Sequence, residues 1–311
     1  MKKRVSKLLF SVIIIAIVAA VIVSVGCKKH RVNTDDLMKS TVSLFGGIDV
    51  RNSKIVDDVS VGTGFFFDDG LIMTANHNVT SQCVVMTYDG KIFDTEVLYS
   101  DTVNDIAILQ IEAEGYPFLE ISDDEIGIDE NILCVCTPKT IFLKNTVLSG
   151  KITNINVNGL ANQYLLQTDL PLSPGCSGSP LINEDGDVIA MNAFKSTEFA
   201  TEGLSFAIYG DKLINSIKAF EKNAKPVEFD LTFSENLNNQ YGVFLTSGIT
   251  VVDVGNASLL NGQILANDVI CYVDEKEIFT KADFYENFRV GSSISIVRGG
   301  KSIKITVSEA S

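Results

Sequence analysis

The feature that most restricts the fold is a succession of short apolar or alternating runs between residues 39 and 209, each broken by turn residues. Asp-Gly steps separate several of these runs, at residues 69–70, 89–90 and 185–186. Such a step supplies the positive backbone φ angles that a tight hairpin requires. Helical periodicity is nearly absent over the same stretch. The region therefore predicts an all-β sandwich or barrel.

Helical periodicity begins after Gly210, where Asp211 can cap a helix whose apolar face includes Leu213, Ile217 and Phe220. A second unit follows, with several short strands and one helix. A capping-box pattern from Thr280 to Asp283 precedes that helix. This unit predicts a small α+β module.

These patterns divide the chain into five segments. They are an N-terminal anchor or signal (1–27), a linker (28–38), a β domain (39–222), a second linker (223–239) and the α+β module (240–309).

The N-terminal segment contains no charged residue from Leu8 to Val25, a run about long enough to span a bilayer. Basic residues precede it and should remain cytoplasmic, so we expect a cell-membrane protein with its folded domains on the extracytoplasmic side. The residues before Cys27 also resemble a bacterial lipobox, in which the cysteine is lipidated after cleavage. An uncleaved anchor and a lipidated Cys27 both remain open.

Charge argues against a nucleic-acid partner. Seven of the 25 basic residues and none of the 39 acidic residues lie in the first 31 positions, so the remaining 280 residues carry a formal charge of −21. Such a surface repels phosphate backbones. With two histidines and no paired cysteine motif, we expect no metal site, no cofactor and no disulfide framework.

A turn of small residues, Pro174 to Pro180, lies between two strand-like segments. A nucleophilic serine needs close approach of the substrate and nearby N–H donors for the oxyanion, and Gly175 and Gly178 permit both. We predict that Ser177 is the nucleophile. Taken alone, the turn could also be an ordinary tight hairpin.

A general base must be His77, because His30 flanks the apolar segment and the chain has no other histidine. A carboxylate that orients the imidazole is predicted at Asp105, which opens a strongly apolar strand where an unpartnered charge would be unfavourable. The chain order is then His77, Asp105 and Ser177.

Two rival hydrolase types are disfavoured. An α/β-hydrolase would need a histidine after the serine, and residue 179 is Ser rather than the second Gly of G-x-S-x-G. A cysteine nucleophile at Cys176 would place Pro174, which has no N–H, at the oxyanion-donor position.

Five motifs together resemble the HtrA/Deg family of trypsin-fold serine proteases over residues 61–209. They are Gly62-Thr63-Gly64-Phe65, TANH ending at His77, NDIAIL around Asp105, the stretch from Thr168 to Leu181, and LSFAIY ending at Tyr209. The resemblance implies a mostly β fold, a trypsin-like double β-barrel, and serine endopeptidase activity on unfolded or signalling proteins.

The same resemblance implies the roles of neighbouring residues. The backbone N–H groups of Gly175 and Ser177 would form the oxyanion hole. An uncharged specificity pocket, implying cleavage after small or medium aliphatic residues, would include Pro171, Leu172, Asn192, Ala193 and Phe194.

The second module resembles a PDZ domain, with Tyr241, Gly242, Val243 and Phe244 similar to the carboxylate-binding loop. This implies capture of a C-terminal or unfolded peptide as an added strand. The family resemblance also implies a homotrimer.

Three residues depart from the family pattern. Ser179 replaces a glycine, Cys176 replaces an asparagine, and Asn78 stands where valine is common. Ser179 could crowd the strand behind the nucleophile. The alternative function is a catalytically silent, chaperone-like peptide-binding protein on the same scaffold.

Overall fold

The computed structural model describes residues 33–49, 54–80, 82–158, 162–194, 203–224, 231–238, 243–256 and 258–307. The predicted anchor and Cys27 lie outside these residues. Within them, no helix has the length and apolar character needed to cross a membrane.

The first β-sheet has seven strands in the order β5-β4-β1-β2-β3-β7-β6. All of the pairings between these neighbours are antiparallel. The strands are β1 (Thr41–Asp49), β2 (Lys54–Asp68), β3 (Leu71–Ala75), β4 (Cys83–Met86), β5 (Ile92–Asp94), β6 (Glu96–Asp101) and β7 (Ile106–Gln110).

The next six strands form a closed barrel in the order β10-β13-β12-β11-β8-β9. They are β8 (Asn131–Cys136), β9 (Thr146–Val157), β10 (Leu165–Thr168), β11 (Pro180–Ile182), β12 (Val188–Phe194) and β13 (Ser205–Tyr209). One hydrophobic core joins the two sheets, because Phe65 and Ile108 of the first pack in the same cluster as Val135 and Met191 of the second. The predicted mostly β fold with two barrel-like sheets is confirmed.

Two helices pack against this pair of sheets. Helix α1 (Thr34–Lys39) lies largely within the stretch predicted as the linker 28–38, so that prediction is wrong here: the Asn33 side chain caps the helix and Leu37 is buried in the core. Helix α2 (Gly210–Glu221) buries Leu213 as expected. Its N-cap residue is Tyr209 rather than Asp211, which lies in the first turn.

The second domain has a sheet in the order β14-β15-β16-β18-β19, with β17 paired to β16. The strands are β14 (Leu231–Asn238), β15 (Val243–Val254), β16 (Val269–Val273), β17 (Lys276–Glu277), β18 (Ser293–Arg298) and β19 (Lys301–Thr306). Helix α3 (Lys281–Asn287) begins with the predicted capping box of Thr280 and Asp283.

The predicted linker 223–239 is also wrong in part, because it contains β14. This strand pairs along its length with β15, and its Phe233 packs in the core of the second domain. The aromatic ring of Phe233 lies 5.1 Å from that of Phe284 in α3. The second domain therefore begins at or before Leu231.

Polar contacts join α3 to the β domain. The Asp283 carboxylate accepts hydrogen bonds from the Tyr164 hydroxyl and from Asn158 Nδ2, the latter at 3.1 Å. Lys212 Nζ of α2 lies 2.5 Å from the Glu286 carboxylate. These contacts fix one face of α3 against the first domain.

Candidate active site

His77 lies in a 3₁₀ turn, Asn76–Asn78, that follows directly after β3. Its Nδ1 atom is 2.7 Å from Asp105 Oδ2, and its backbone N–H donates to Asp105 Oδ1 at 2.9 Å. The Asp105 carbonyl also accepts the Asn76 N–H at 3.1 Å. One aspartate thus holds both the imidazole and the backbone of the turn that carries it.

Asp105 adopts a left-handed backbone conformation with φ of +56°, which is uncommon for a residue with a side chain. The preceding turn is held by the buried carboxylate of Asp101, which accepts the N–H groups of Val103 and Asn104 at 3.0 and 2.9 Å. The same carboxylate accepts the Asn104 side-chain amide. Asp101 therefore fixes the turn that presents Asp105.

Ser177 lies in a tight turn between β10 and β11. Gly175 and Gly178 have φ of +98° and +85°. A Cβ atom on Gly178 would lie 2.1 Å from the Thr63 carbonyl oxygen, and one on Gly175 would lie 2.4 Å from the Thr137 carbonyl oxygen. Both glycines are required because the turn packs directly against the backbone of neighbouring segments.

Two hydrogen bonds tie the Ser177 backbone to the histidine side of the site. The Ser177 carbonyl accepts the Thr63 N–H and the Asn78 side-chain amide, both at 2.9 Å. Since Asn78 follows His77 directly, these bonds bring the serine turn beside the histidine turn. Among the described residues, no hydrogen bond joins the Ser177 hydroxyl to the His77 imidazole. Catalytic hydrogen bonds are often long in substrate-free sites and shorten in the complex.

The two predicted oxyanion donors are available. The Pro174 carbonyl is engaged with the Lys139 N–H at 2.7 Å, which directs it away from the turn interior. The Gly175 carbonyl accepts the Thr63 hydroxyl at 2.7 Å. Neither the Gly175 N–H nor the Ser177 N–H has an acceptor within the described part of the chain. Two adjacent unpaired donors next to a serine hydroxyl can bind an oxyanion.

The hydroxyl of Ser179 is accommodated rather than crowded. It donates to the Cys176 carbonyl at 2.6 Å, lies 3.2 Å from Cys134 Sγ and accepts the Asn192 amide at 3.0 Å. A buried polar group with partners carries little desolvation penalty. The expected crowding of the strand behind the nucleophile is therefore not found.

The predicted pocket residues differ in exposure. Pro171 is exposed, whereas Leu172 and Ala193 are buried. The Asn192 side chain is fully buried and bonded to Ser179 and Cys134, so it faces the barrel interior and does not line an open pocket. Phe194 ends β12, and its side chain lies outside the described part.

Of the predicted carboxylate-binding loop, the structure describes Val243 and Phe244. Tyr241 and Gly242 lie outside the described residues. Val243 and Phe244 begin β15 and pair with Asn238 and Leu237 of β14. These two residues therefore belong to a hairpin ladder and not to an open loop.

Sequence reasoning missed three positioning residues: Thr63, Asn78 and Asp101. Asn78 could have been identified from the sequence, because it places a polar amide beside the histidine at a position where an apolar residue is common. In the described ranges, no three His, Cys, Asp or Glu side chains are grouped so that they could hold a metal ion.

Comparisons with known proteins find similar sequences and folds. A family model described as "Trypsin-like peptidase domain" matches residues 62–191. "Serine protease Do-like HtrB" of Bacillus subtilis (strain 168) is 28% identical over 264 residues, which is 75% of this chain and 58% of the relative. "Serine protease HTRA1" of Xenopus laevis is 35% identical over 163 residues, covering 49% of this chain and 34% of the relative.

The solved structure "HtrA-type protease AlgW with tripeptide" superposes with a TM-score of 0.63 at 22% identity, covering 89% of this chain and 96% of that one. This likeness shows the fold. The chain spans 58% and 66% of the length of the two Bacillus subtilis relatives, HtrB and "Serine protease Do-like HtrA".

Proposed function

We propose, on the premise that this chain belongs to the HtrA/DegP-like family of trypsin-fold serine proteases, that it is a serine endopeptidase with Ser177, His77 and Asp105 as its triad. The observation that carries the proposal is the contact of 2.7 Å between His77 Nδ1 and Asp105 Oδ2, beside the serine turn. No second histidine occurs in the folded domains that could replace His77 as a base.

The mechanism is acyl transfer. Ser177 Oγ attacks the peptide carbonyl while His77 Nε2 accepts its proton and later returns it to the leaving amine. Asp105 Oδ2 accepts the Nδ1 proton, which fixes the tautomer and stabilises the imidazolium. The Gly175 and Ser177 N–H groups bind the developing oxyanion, a role worth about 10²–10³ in rate per donor.

Substrate selection follows from the surroundings of the serine turn. Of the predicted pocket residues, Pro171, Leu172 and Ala193 carry no charge, which supports cleavage after small or medium aliphatic residues. A measured preference for Lys or Arg would contradict this assignment.

A peptide-binding role for the second domain rests on the edge of β14. Within the described residues β14 pairs on one side only, with β15, and α3 packs beside it through Phe233 and Phe284. The Lys281 N–H of α3 also donates to the Glu235 side chain at 2.7 Å. An extended peptide can add to such an edge as a further strand, with its side chains against the helix.

Location and assembly are proposed from similarity and from the N-terminal sequence. Relatives from Halomonas elongata and Chlamydia pneumoniae carry the description "Probable periplasmic serine endoprotease DegP-like". With the apolar run from Leu8 to Val25, this supports a membrane-anchored protein whose protease domain is extracytoplasmic, through either an uncleaved anchor or a lipidated Cys27. A homotrimer is the assembly that the family implies.

The test uses the full-length chain in mild detergent. It should degrade casein and should react with a fluorophosphonate probe, and Ser177→Ala should abolish both reactions while retaining the circular dichroism spectrum. Equal hydrolysis by the two proteins would refute the assignment. Labelling of Ser177 without casein hydrolysis would favour a processing protease with a narrow substrate.

A further inference from the structure

Two cysteine thiols meet directly behind the serine turn. Cys136 ends β8, and Cys176 precedes Ser177 by one residue. Their Sγ atoms are 2.9 Å apart, and both side chains are buried. Forty positions separate them in sequence, so the contact joins the serine turn to a different strand of the barrel.

The environment distinguishes the two thiols chemically. The hydrogen bond from the Cys136 thiol, with a smaller contribution from the Ser173 backbone, lowers the pKa of Cys176 against the opposing effect of burial. Contacts with Cys134 and Cys176, together with burial, raise the pKa of Cys136. Of the two, Cys176 is the thiol that loses its proton more readily, and the Cys136 thiol is its hydrogen-bond partner at 2.9 Å. A low-pKa thiol beside a resolving thiol is one feature of redox-sensor cysteines. Both thiols here are buried, so only a small oxidant could reach them.

We propose that Cys136 and Cys176 form a redox-active pair that closes to an intramolecular disulfide when a small hydroperoxide reaches it. The Cys176 thiolate attacks one oxygen of hydrogen peroxide, the O–O bond breaks, and the departing hydroxide takes up a proton to leave as water. Cys136 sulfur then attacks the Cys176 sulfenic acid, the S–O bond breaks, and a second water leaves with the Cys136 proton. Two thiols lose two electrons and the peroxide gains them.

The disulfide would act on the site because of where Cys176 lies. An S–S bond is about 2.05 Å long, so closure draws the two sulfurs together by roughly 0.9 Å. Cys176 lies between Gly175 and Ser177, the two proposed oxyanion donors. A displacement of about 1 Å at a reacting group can lower the rate about 10²-fold. Oxidation should therefore suppress the proposed protease activity, and a dithiol should restore it.

The first experiment follows the bond itself and does not depend on activity. The reduced full-length chain in mild detergent is treated with a small excess of hydrogen peroxide, alkylated and analysed by peptide mass mapping. Because Cys134 and Cys136 fall on one peptide, the mapping is done in Cys134→Ala. We expect a Cys136–Cys176 cross-link that dithiothreitol reverses, and a rise in Tm of about 5 °C or more, since the bond closes a forty-residue stretch.

Cys136→Ala and Cys176→Ala should each abolish the cross-link and the rise in Tm, whereas the matched control Cys271→Ala, a thiol in the second domain, should leave both unchanged. Absence of the cross-link in the Cys134→Ala protein, with the fold intact by circular dichroism, would overturn the proposal. A disulfide from Cys176 to another cysteine that forms equally in Cys136→Ala would also overturn it.

The second experiment rests on the proposed protease function. Casein hydrolysis by the wild-type chain should fall tenfold or more on oxidation and return on reduction, and hydrolysis by Cys136→Ala should not respond to peroxide. If the cross-link forms but casein hydrolysis is unchanged, the claim that the disulfide controls the active site is overturned. If the reduced protein hydrolyses nothing, the protease assignment fails, and the mass mapping still decides whether the pair closes.

Discussion

The side-chain amide of Asn78 donates a hydrogen bond of 2.9 Å to the backbone carbonyl of Ser177. The two residues are 99 positions apart, yet Asn78 directly follows His77 and so links the histidine turn to the serine turn. Asn78 is buried, its amide also donates to the Thr74 hydroxyl at 3.1 Å, and its side chain fills the space left by the absent Cβ of Gly62. It is a positioning residue in the site.

Replacing Asn78 with Val removes the bond to the Ser177 carbonyl while keeping a compact side chain. We expect kcat for peptide hydrolysis to fall about tenfold or more, with KM little changed, because the serine turn loses one of its two anchors to the histidine side. Steady-state kinetics and the rate of fluorophosphonate labelling measure this. Asn131→Ala, an exposed amide bonded to Glu184, is the control. A change in KM alone would show that Asn78 does not position the nucleophile.

Asp105→Asn should lower kcat by about 10⁴ with the fold intact. The Asn oxygen can still accept the His77 backbone N–H, but the amide group can no longer accept the Nδ1 proton, so the imidazole adopts the wrong tautomer. Hydrolysis of casein and a small peptide ester would measure the loss. The exposed Asp124→Asn is the matched control; a comparable loss in that variant would remove the special role of Asp105.

Gly178→Ala should abolish activity and lower Tm. A Cβ at this position would lie 2.1 Å from the Thr63 carbonyl oxygen, and the backbone has φ of +85°. Gly186→Ala is the control, since Gly186 has φ of +102° but no atom within 4 Å of its Cβ position. Thermal unfolding of both variants separates the steric contact from the cost of positive φ. Equal losses would mean that the backbone conformation alone is responsible.

Asp283→Ala should destabilise the second domain by about 1–2 kcal/mol, since it removes a capping box and the acceptor for Tyr164. Urea unfolding measures the loss, and the exposed Glu277→Ala is the control. Tyr164→Phe combined with Asp283→Ala tests the contact between the domains. If the stability losses of the two single variants add up to the loss of the double variant, the Tyr164–Asp283 hydrogen bond contributes no coupling energy between the domains.

Acid should lower the folding stability of the second domain, because it protonates the Asp268 carboxylate. Burial opposes ionisation of this side chain, but two hydrogen bonds from the Arg298 guanidinium, at 2.7 and 2.6 Å, hold the pKa of the carboxyl below its ordinary value. A carboxyl whose pKa is lower in the folded state stabilises that state at pH values above its unfolded-state pKa of about 3.9. That contribution is lost as the pH falls through the folded pKa.

The measurement is the free energy of unfolding of the wild type and Asp268→Asn as a function of pH. We expect the wild type to be more stable near neutral pH and the difference to shrink on acidification below about pH 4. A difference that stays constant down to low pH would exclude ionisation of Asp268 as its source.

Local patterns in the sequence determined the class of fold. Asp-Gly turns between short apolar runs predict antiparallel strands, and the capping box from Thr280 to Asp283 predicts the start of α3, because hairpin geometry and helix capping depend on a few adjacent residues. The same locality explains the errors at α1 and β14, whose short segments are stabilised by burying Leu37 and Phe233 against distant parts of the chain.

The sequence by itself also selected His77, Asp105 and Ser177 as the candidate triad, because only one histidine was available and chain order excluded the rival hydrolase. The tertiary structure alone decided that Asp105 contacts His77 through both oxygens, that Asn78 holds the Ser177 carbonyl, and that Cys136 meets Cys176. Each of these contacts joins residues 28 to 99 positions apart. The Asn78–Ser177 contact depends on how the two sheets pack, whereas the other two depend on which strands pair within one sheet, β3 with β7 and β8 with β11. No local pattern encodes either.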